Sequence, residues 1–199
     1  DQGLIFATLS TAVALIYTAG NLDISIGNAM AVAGVLSVMI YELTHSVTLM
    51  VVSCFVIAIC LMLFNCTLST YLRIKPATVG IVMMQVYELI QSSLIGNRVT
   101  IKVDYAVCRL LEDGPFRYVA FVGYIVLVFV VYNLTYIGRA SRFYGGNRRC
   151  AEQTGMHEVK LKYIAFAICG LGVGLAGVLT IIRAGGVSTS TGSGFGMDC

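Results

Sequence analysis

Six long apolar runs divide the sequence, with short polar segments between them; they cover residues 4–19, 27–41, 47–64, 77–95, 118–137 and 161–182. A hydrocarbon core about 30 Å thick needs about 20 mostly apolar residues for one helix. Apolar residues make up 58% of the chain and charged residues only 12%, too few for the surface of a soluble domain. We therefore predict an all-α integral membrane protein, with residues 1–199 forming one transmembrane domain of about six spans.

A membrane β-barrel is excluded by the pattern within these runs. Barrel strands alternate polar and apolar residues with a period of two, and the run VAFVGYIVLVFVVY at residues 119–132 does not. Because lipid offers no hydrogen bonds, each span must satisfy its own backbone groups. The runs are therefore expected to be helices.

The basic residues predict the orientation in the membrane, because cytoplasmic loops carry the excess of Lys and Arg. Arg73 and Lys75 lie between the third and fourth runs. A larger basic group lies between the fifth and sixth: Arg139, Arg142, Arg148, Arg149, Lys160 and Lys162. We place both loops in the cytoplasm and the loop 96–117 outside. The chain then enters its first span from outside, as the central part of a longer polypeptide.

The connection between the first two runs carries an acidic residue close to the hydrocarbon. Asn21, Asp23 and Ser25 lie within a few residues between the two runs. A carboxylate near the membrane interior is costly unless it is paired or faces a wet cavity, and broken helices often line a transport path. These three residues are therefore candidates for the substrate pathway. The alternative is a tight turn in which Asp23 caps the helix beginning near Ile26.

The fourth run carries a polar stripe. Gln85, Glu88, Gln91 and Ser92 fall on one face of a helix. A polar stripe on a spanning helix faces either other helices, where it forms hydrogen bonds, or a wet cavity. Gln85 and Glu88 are accordingly candidates for the substrate pathway, with hydrogen bonding between helices as the alternative.

The sixth run is rich in glycine. Gly170 and Gly174 form a GxxxG pattern, and Gly177 follows. Small residues at this spacing let membrane helices approach closely. The overlapping GxGxxG pattern lies inside an apolar helix rather than after a strand, so it does not indicate a nucleotide site. We predict that these glycines serve helix packing.

Nothing in the sequence indicates a metal or cofactor held by this chain. The seven cysteines form no CxxC pair, and His45 and His157 lie far apart. The GxxxxGK pattern of phosphate-binding loops is absent. The basic residues lie in loops between spans, so they do not indicate nucleic-acid binding. We expect the chain to have no catalytic site and to bind lipid, proteins and a transported solute.

A tract rich in polar residues, residues 144–166, lies between the fifth and sixth runs and extends into the start of the sixth. We predict that Gly145 and Gly146 break the chain, that Asn147 caps a short polar helix, and that Gly155 ends it. A short helix with few apolar residues is unstable alone. It is therefore either docked on another protein or part of an ordinary basic cytoplasmic loop.

The order of residues in this tract resembles one membrane protein family. GGN..CA..TGM at residues 145–156 is similar to the GGN..AA..SGI loop of the ribose-type permeases, the membrane subunits of ATP-binding-cassette importers for simple sugars. Further stretches resemble the same family in order: NLDISIGNAMAVAGV, YLRIKPATVGIVMM, TYIGRASRFYGGN, AICGLGVGLAGVL and STSTGSGFGMD. The resemblance covers most of the chain.

This resemblance implies a transport subunit of a bacterial cytoplasmic membrane. Two permease copies or homologues would form the path, cytoplasmic ATPases would bind the ATP, and an external solute-binding protein would deliver the solute. The loop 138–160 would couple the chain to the ATPase, through Gly145, Gly146, Asn147, Arg148, Arg149, Cys150, Ala151, Thr154, Gly155 and Met156. The alternatives are a membrane-embedded enzyme and a passive channel without an ATPase.

Overall fold

The structure, a computed structural model, describes residues 2–96, 100–103, 116–146 and 158–188 of the 199-residue chain. Helices account for most of these residues. Their bounds, with those of two short strands, are α1 Gln2–Thr18, α2 Ile26–Thr44, α3 Val47–Tyr71, α4 Pro76–Ile95, β1 Thr100–Lys102, α5 Phe116–Leu134, α6 Tyr136–Gly146, α7 Glu158–Ala184 and β2 Gly186–Ser188.

All six apolar runs are helical, so the predicted all-α membrane architecture is confirmed. Among the described residues, five helices are long and apolar enough to cross a membrane, namely α2, α3, α4, α5 and α7. Helix α1 is apolar but has only 17 residues, which is the short end of the range of about 17 to 25 residues for a spanning helix.

The two innermost helices, α2 and α7, are buried along most of their length. Helix α7 packs most extensively against α3 and then against α1, and α2 packs against α3, α4 and α7. Helices α4 and α5 lie at the periphery and expose apolar side chains such as Val82, Leu89, Val122 and Phe129. The exposed apolar face of α5 suits contact with lipid, which is as apolar as these side chains, whereas α4 also exposes Gln85 and Glu88 on its outer face.

The strands β1 and β2 form an antiparallel ladder that the sequence did not predict. Thr100 pairs with Ser188 and Lys102 with Gly186. The ladder joins the segment after α4 to the segment after α7, so both segments lie at the same end of the bundle, which we call the strand end. The opposite end, called the basic end, holds the α1–α2 and α3–α4 connections, α6 and the start of α7. This arrangement agrees with the order of spans predicted from the charges.

Helix α6 corrects the prediction that Gly145 and Gly146 break the chain. The helix runs through both glycines, after a short interruption at Thr135 that ends α5 three residues before the predicted boundary at 137. A Cβ added at Gly145 would collide with the carbonyl oxygen of Thr18. The small residue is therefore required by the close approach of α6 to the end of α1, and not by a turn.

Candidate functional site

The connection between α1 and α2 is a short non-helical segment at the basic end. Gly20 has a φ of +74°, and the N–H groups of Gly20 and Asn21 donate to the carbonyls of Tyr17 and Ile16. This left-handed glycine closes α1 by satisfying carbonyls that the helix leaves free. The chain then turns inward, and Asp23 is only 1% exposed.

The Asp23 carboxylate is the end point of a buried chain of hydrogen bonds. The Tyr87 hydroxyl donates to Asn65 Oδ1 at 2.6 Å, and Asn65 Nδ2 donates to Ser25 Oγ at 2.7 Å and to Asp23 Oδ2 at 3.4 Å. Ser25 donates to Asp23 Oδ1 through both its hydroxyl, at 2.8 Å, and its backbone N–H, at 2.9 Å. We call these four residues, Asp23, Ser25, Asn65 and Tyr87, the polar network. It joins the α1–α2 connection to α3 and α4.

Lys162 of α7 provides a positive charge close to the polar network. It is 8% exposed, and its Nζ donates to Ser69 Oγ on α3 at 2.7 Å. Burial raises the pKa of the Asp23 carboxyl above its ordinary value, while the hydrogen bonds from Ser25 and Asn65 and the charge of Lys162 lower it. The side-chain groups that contact the carboxylate all donate hydrogen bonds to it, which is the arrangement that suits its ionised form.

Gly80 allows α4 to lie directly against the α1–α2 connection. A Cβ at this position would lie 2.5 Å from Asp23 Oδ1 and 2.9 Å from the backbone N of Ile24. Since real Cβ atoms do not approach polar atoms so closely, any larger residue would push α4 away. Gly80 thus maintains the contact between α4 and the connection.

The structure brings together only part of the predicted substrate pathway. Asp23 and Ser25 are buried side by side, and Asn21 is half-buried beside a cavity at the basic end. Gln85 and Glu88 lie elsewhere, because both are exposed on the outer face of α4, whereas Tyr87 points inward to the polar network. The four polar residues of the α4 stripe are also split, since Gln91 is buried and Ser92 is exposed.

The geometry around Asp23 shows a turn but not the predicted helix cap. The side chain forms a turn, because it accepts the N–H of Ser25, which precedes α2. It does not cap α2 by bonding to an N–H of the helix's first turn. Its contact with Asn65 on α3 extends beyond a local turn.

The three glycines predicted to serve packing lie where α7 meets α3. A Cβ at Gly170 would lie 2.7 Å from Ile59 Cα, and one at Gly174 would lie 2.9 Å from Phe55 Cα. Gly177 faces Cys54 Sγ at 3.0 Å by the same construction. The backbones of α3 and α7 are therefore in close contact at Gly170 and at Gly174, about one turn apart on α7.

The predicted coupling residues lie mostly outside the described part of the chain. This holds for Asn147, Arg148, Arg149, Cys150, Ala151, Thr154, Gly155 and Met156. Gly145 and Gly146, which are described, form the end of α6 at the basic end. Helix α7 begins at Glu158, directly after the tract.

Sequence reasoning missed Asn65 as a partner of Asp23 and Tyr87 as a partner of Asn65, and it named Lys162 only as a loop cation. Of these, Asn65 carried a usable signal. Asn65 is an isolated amide after an apolar stretch, and a polar residue at membrane depth generally marks a buried contact or a functional site. The pairing itself depends on which faces of α3, α4 and α7 meet, which one sequence does not define.

These features define a polytopic helical membrane protein in which a buried polar network joins the α1–α2 connection to α3 and α4. Residues 2–199 match the model of a family described as "Branched-chain amino acid transport system / permease component". Because this match extends over almost all of the sequence, the chain belongs to that permease family.

Curated permease proteins also match the chain, at low sequence identity. The chain is 25% identical over 209 residues to the L-arabinose ABC transporter permease protein AraH of Azospirillum brasilense, a match that covers 98% of this chain and 61% of that protein. It is 23% identical over 198 residues to the autoinducer 2 import system permease protein LsrC of Escherichia coli, covering 97% of this chain and 58% of that protein. The chain thus spans about three-fifths of the length of these relatives. No solved structure matches it.

Proposed function

We propose that this chain forms the membrane-spanning part of a permease subunit in an ATP-binding-cassette importer of the bacterial cytoplasmic membrane. Its solute would be a small polar molecule, a monosaccharide or a related compound. The observation that carries the proposal is the family match over residues 2–199. The relatives named for L-arabinose and autoinducer 2 support the solute class, as does the ordered resemblance to ribose-type permeases.

In this proposal two permease copies face each other and the solute passes between them. The exposed side chains of Gln85 and Glu88 support this arrangement, because polar side chains on a spanning helix avoid lipid and face protein or a wet cavity. Asp23 and Ser25 lie behind α4 and shape the path through the position of that helix. Gly80 is the contact through which the connection and α4 hold each other in place.

The tract 145–156 docks on the cytoplasmic ATPase in this proposal, so the basic end faces the cytoplasm. Helix α7 leaves the tract at Glu158, and Lys162, one turn later, bonds to Ser69 of α3 and lies close enough to Asp23 to lower its pKa. A movement of the docked tract would therefore reach α3 and the polar network through rigid helices. Alternating access would follow from such a shift of packed helices.

The chemistry of the cycle is assigned to other subunits. ATP is bound and hydrolysed on the ATPase, and an external solute-binding protein delivers the solute. This chain makes and breaks no covalent bond. The chain contributes two alternative helix packings, inward-open and outward-open, that differ in stability. This difference sets how far ATP binding can shift the equilibrium between them.

Reversing the charge of the tract is the experiment that tests the docking. We expect Arg148→Glu combined with Arg149→Glu to reduce solute uptake by at least about tenfold, because a charge-complementary interface becomes repulsive, a change that costs several kcal/mol. The measurement is uptake into cells, with ATPase activity of the purified complex assayed in parallel. Transport and hydrolysis should become uncoupled.

The matched control is Arg183→Glu, a reversal at the strand end, where the side chain is exposed and bonds only to Gln2 among the contacts described. This control should change uptake less than about twofold. Normal uptake and normal ATPase stimulation in the double variant would show that the tract is an ordinary loop.

A further inference from the structure

A cavity of about 480 Å³ opens at the basic end, between the α1–α2 connection, the end of α3 and the starts of α4 and α7. Three cations line it, Arg73, Lys75 and Lys162, against one carboxylate, Glu158. Its volume lies within the range of about 300 to 1,000 Å³ that is usual for small-molecule sites. Excess positive charge in a concave site favours an anionic occupant.

Backbone dipoles around the cavity act in the same direction. Helix α4 begins at Pro76 and α7 at Glu158, and both residues line the cavity. The start of a helix carries a partial positive charge that attracts anions. At α4 this attraction is reduced, because Pro76 has no N–H and the N–H groups of Thr78 and Val79 donate to the Lys75 carbonyl. Helix α3 ends there with the opposite polarity, but its last carbonyls already accept the N–H groups of Leu72, Arg73 and Ile74.

The position of Lys162 distinguishes this site from a row of surface cations. Its side chain is more than nine-tenths buried at the inner end of the cavity, where Ser69 Oγ fixes its Nζ. Arg73 and Lys75 are exposed at the outer part. Apolar side chains, Leu22, Ile74 and Val159, also border the cavity and are 43 to 49% exposed. The site therefore combines a cationic interior with an apolar rim.

We propose that this cavity binds a phosphate group, carried by an anionic phospholipid of the adjacent leaflet or by a small soluble phosphate compound. Basic pockets between spans on the cytoplasmic side are known to suit phospholipid headgroups. The apolar rim matches the glycerol and acyl part of a lipid. Binding would fix the α3–α4 connection against the start of α7, beside the polar network.

The test uses the full-length importer complex in neutral detergent. Three probes are titrated: dioctanoyl phosphatidylglycerol, inorganic phosphate and uncharged dioctanoylglycerol. A ligand that binds the folded state raises the thermal unfolding midpoint in proportion to its occupancy. We expect a rise with the anionic lipid, with phosphate, or with both, and none with dioctanoylglycerol.

Arg73→Glu combined with Lys75→Glu should raise the half-saturating concentration of the effective probe at least about tenfold, a loss of about 1.4 kcal/mol or more. Both side chains are exposed, so the unliganded variant should keep its midpoint. Lys160→Glu is the matched control, an exposed cation of the first turn of α7 that does not line the cavity; it should change the half-saturating concentration less than about twofold.

A response to the lipid alone identifies a headgroup site, and an equal response to phosphate identifies a soluble phosphate compound. No response to either probe, or a response that the double variant leaves unchanged, would overturn the proposal. The readout is ligand binding and not transport, so its failure would leave the proposed import function untouched.

Discussion

Gly170→Leu is expected to lower the free energy of unfolding by about 3 kcal/mol, the upper part of the usual range for overpacking a tight interior. The Cβ of any residue at this position would lie 2.7 Å from Ile59 Cα. A flexible side chain can move aside, but the Cα of a neighbouring helix cannot, so α3 and α7 would have to separate. Thermal unfolding of the purified protein in detergent, together with the yield of folded protein, measures the effect.

Gly123→Leu is the matched control for this substitution. Gly123 lies on α5 and is exposed, and no atom lies within 4 Å of a Cβ built there. The variant adds the same side chain to another spanning helix, and it should leave stability unchanged or raise it by up to about 1 kcal/mol, the helix-propensity difference between glycine and other residues. Equal effects of the two variants would contradict the close contact between α3 and α7.

Asp23→Asn is expected to reduce solute uptake by more than about tenfold and to lower the free energy of unfolding by about 3 kcal/mol, as when buried hydrogen-bond donors lose their acceptor. The carboxylate accepts hydrogen bonds from Ser25 and Asn65 and lies near the buried charge of Lys162. An amide places an NH2 group where one carboxylate oxygen accepts a hydrogen bond, so these bonds cannot all be kept. Uptake kinetics and thermal unfolding, with membrane insertion checked by yield, provide the measurements.

A double substitution separates the charge effect from the hydrogen bonds. Removing the cation as well, in Asp23→Asn with Lys162→Met, should recover at least about 1 kcal/mol of stability, because residues that interact directly do not contribute additively. Glu42→Gln, an exposed carboxylate at the strand end, is the control and should have little effect. Normal uptake kinetics in Asp23→Asn would reduce this residue to a turn former, and additive costs would show that the two charges are independent.

The spans could be predicted to within a few residues because the signal is simple. Lipid requires a long apolar stretch with internal hydrogen bonding, and all six stretches became helices. The largest boundary error shows where this signal fails: α3 was predicted to end at 64 and continues to Tyr71. The additional turns contain Asn65 and Ser69, whose polar groups are satisfied by Tyr87 and Lys162 from other helices. A polar residue looks like the end of a span when its distant partner is unknown.

The candidate site could be predicted only in part. Asp23 and Ser25 stood out because polar residues between two apolar runs are unusual, but their partners on α3, α4 and α7 are far away in sequence. The polar stripe on α4 shows the same limit, because its spacing predicts which side chains share a face but not which of them are buried. Helical spacing put Gln85, Glu88 and Gln91 near one another on α4, whereas burial depends on where α2 and α3 lie around it, so only Gln91 is buried.

Helix α6 and the strand ladder could not be predicted because the local sequence signal was misleading for the helix and too short for the strands. Two consecutive glycines normally favour a turn, yet Gly145 is helical, and its small size serves the close approach of α6 to the Thr18 carbonyl. The strands have three residues each, too few for a periodic pattern.

The native cysteine of the polar tract provides the most direct test of the central claim, that residues 145–156 dock on an ATPase. In membranes that contain the full-length importer, a crosslinker joining a thiol to an amine should connect Cys150 to the ATPase subunit. The product should disappear in Cys150→Ser and persist in Cys60→Ser, which removes an exposed cysteine on α3. A product that persists without Cys150, or labelling of Cys150 by an impermeant maleimide added outside intact cells, would contradict the claim.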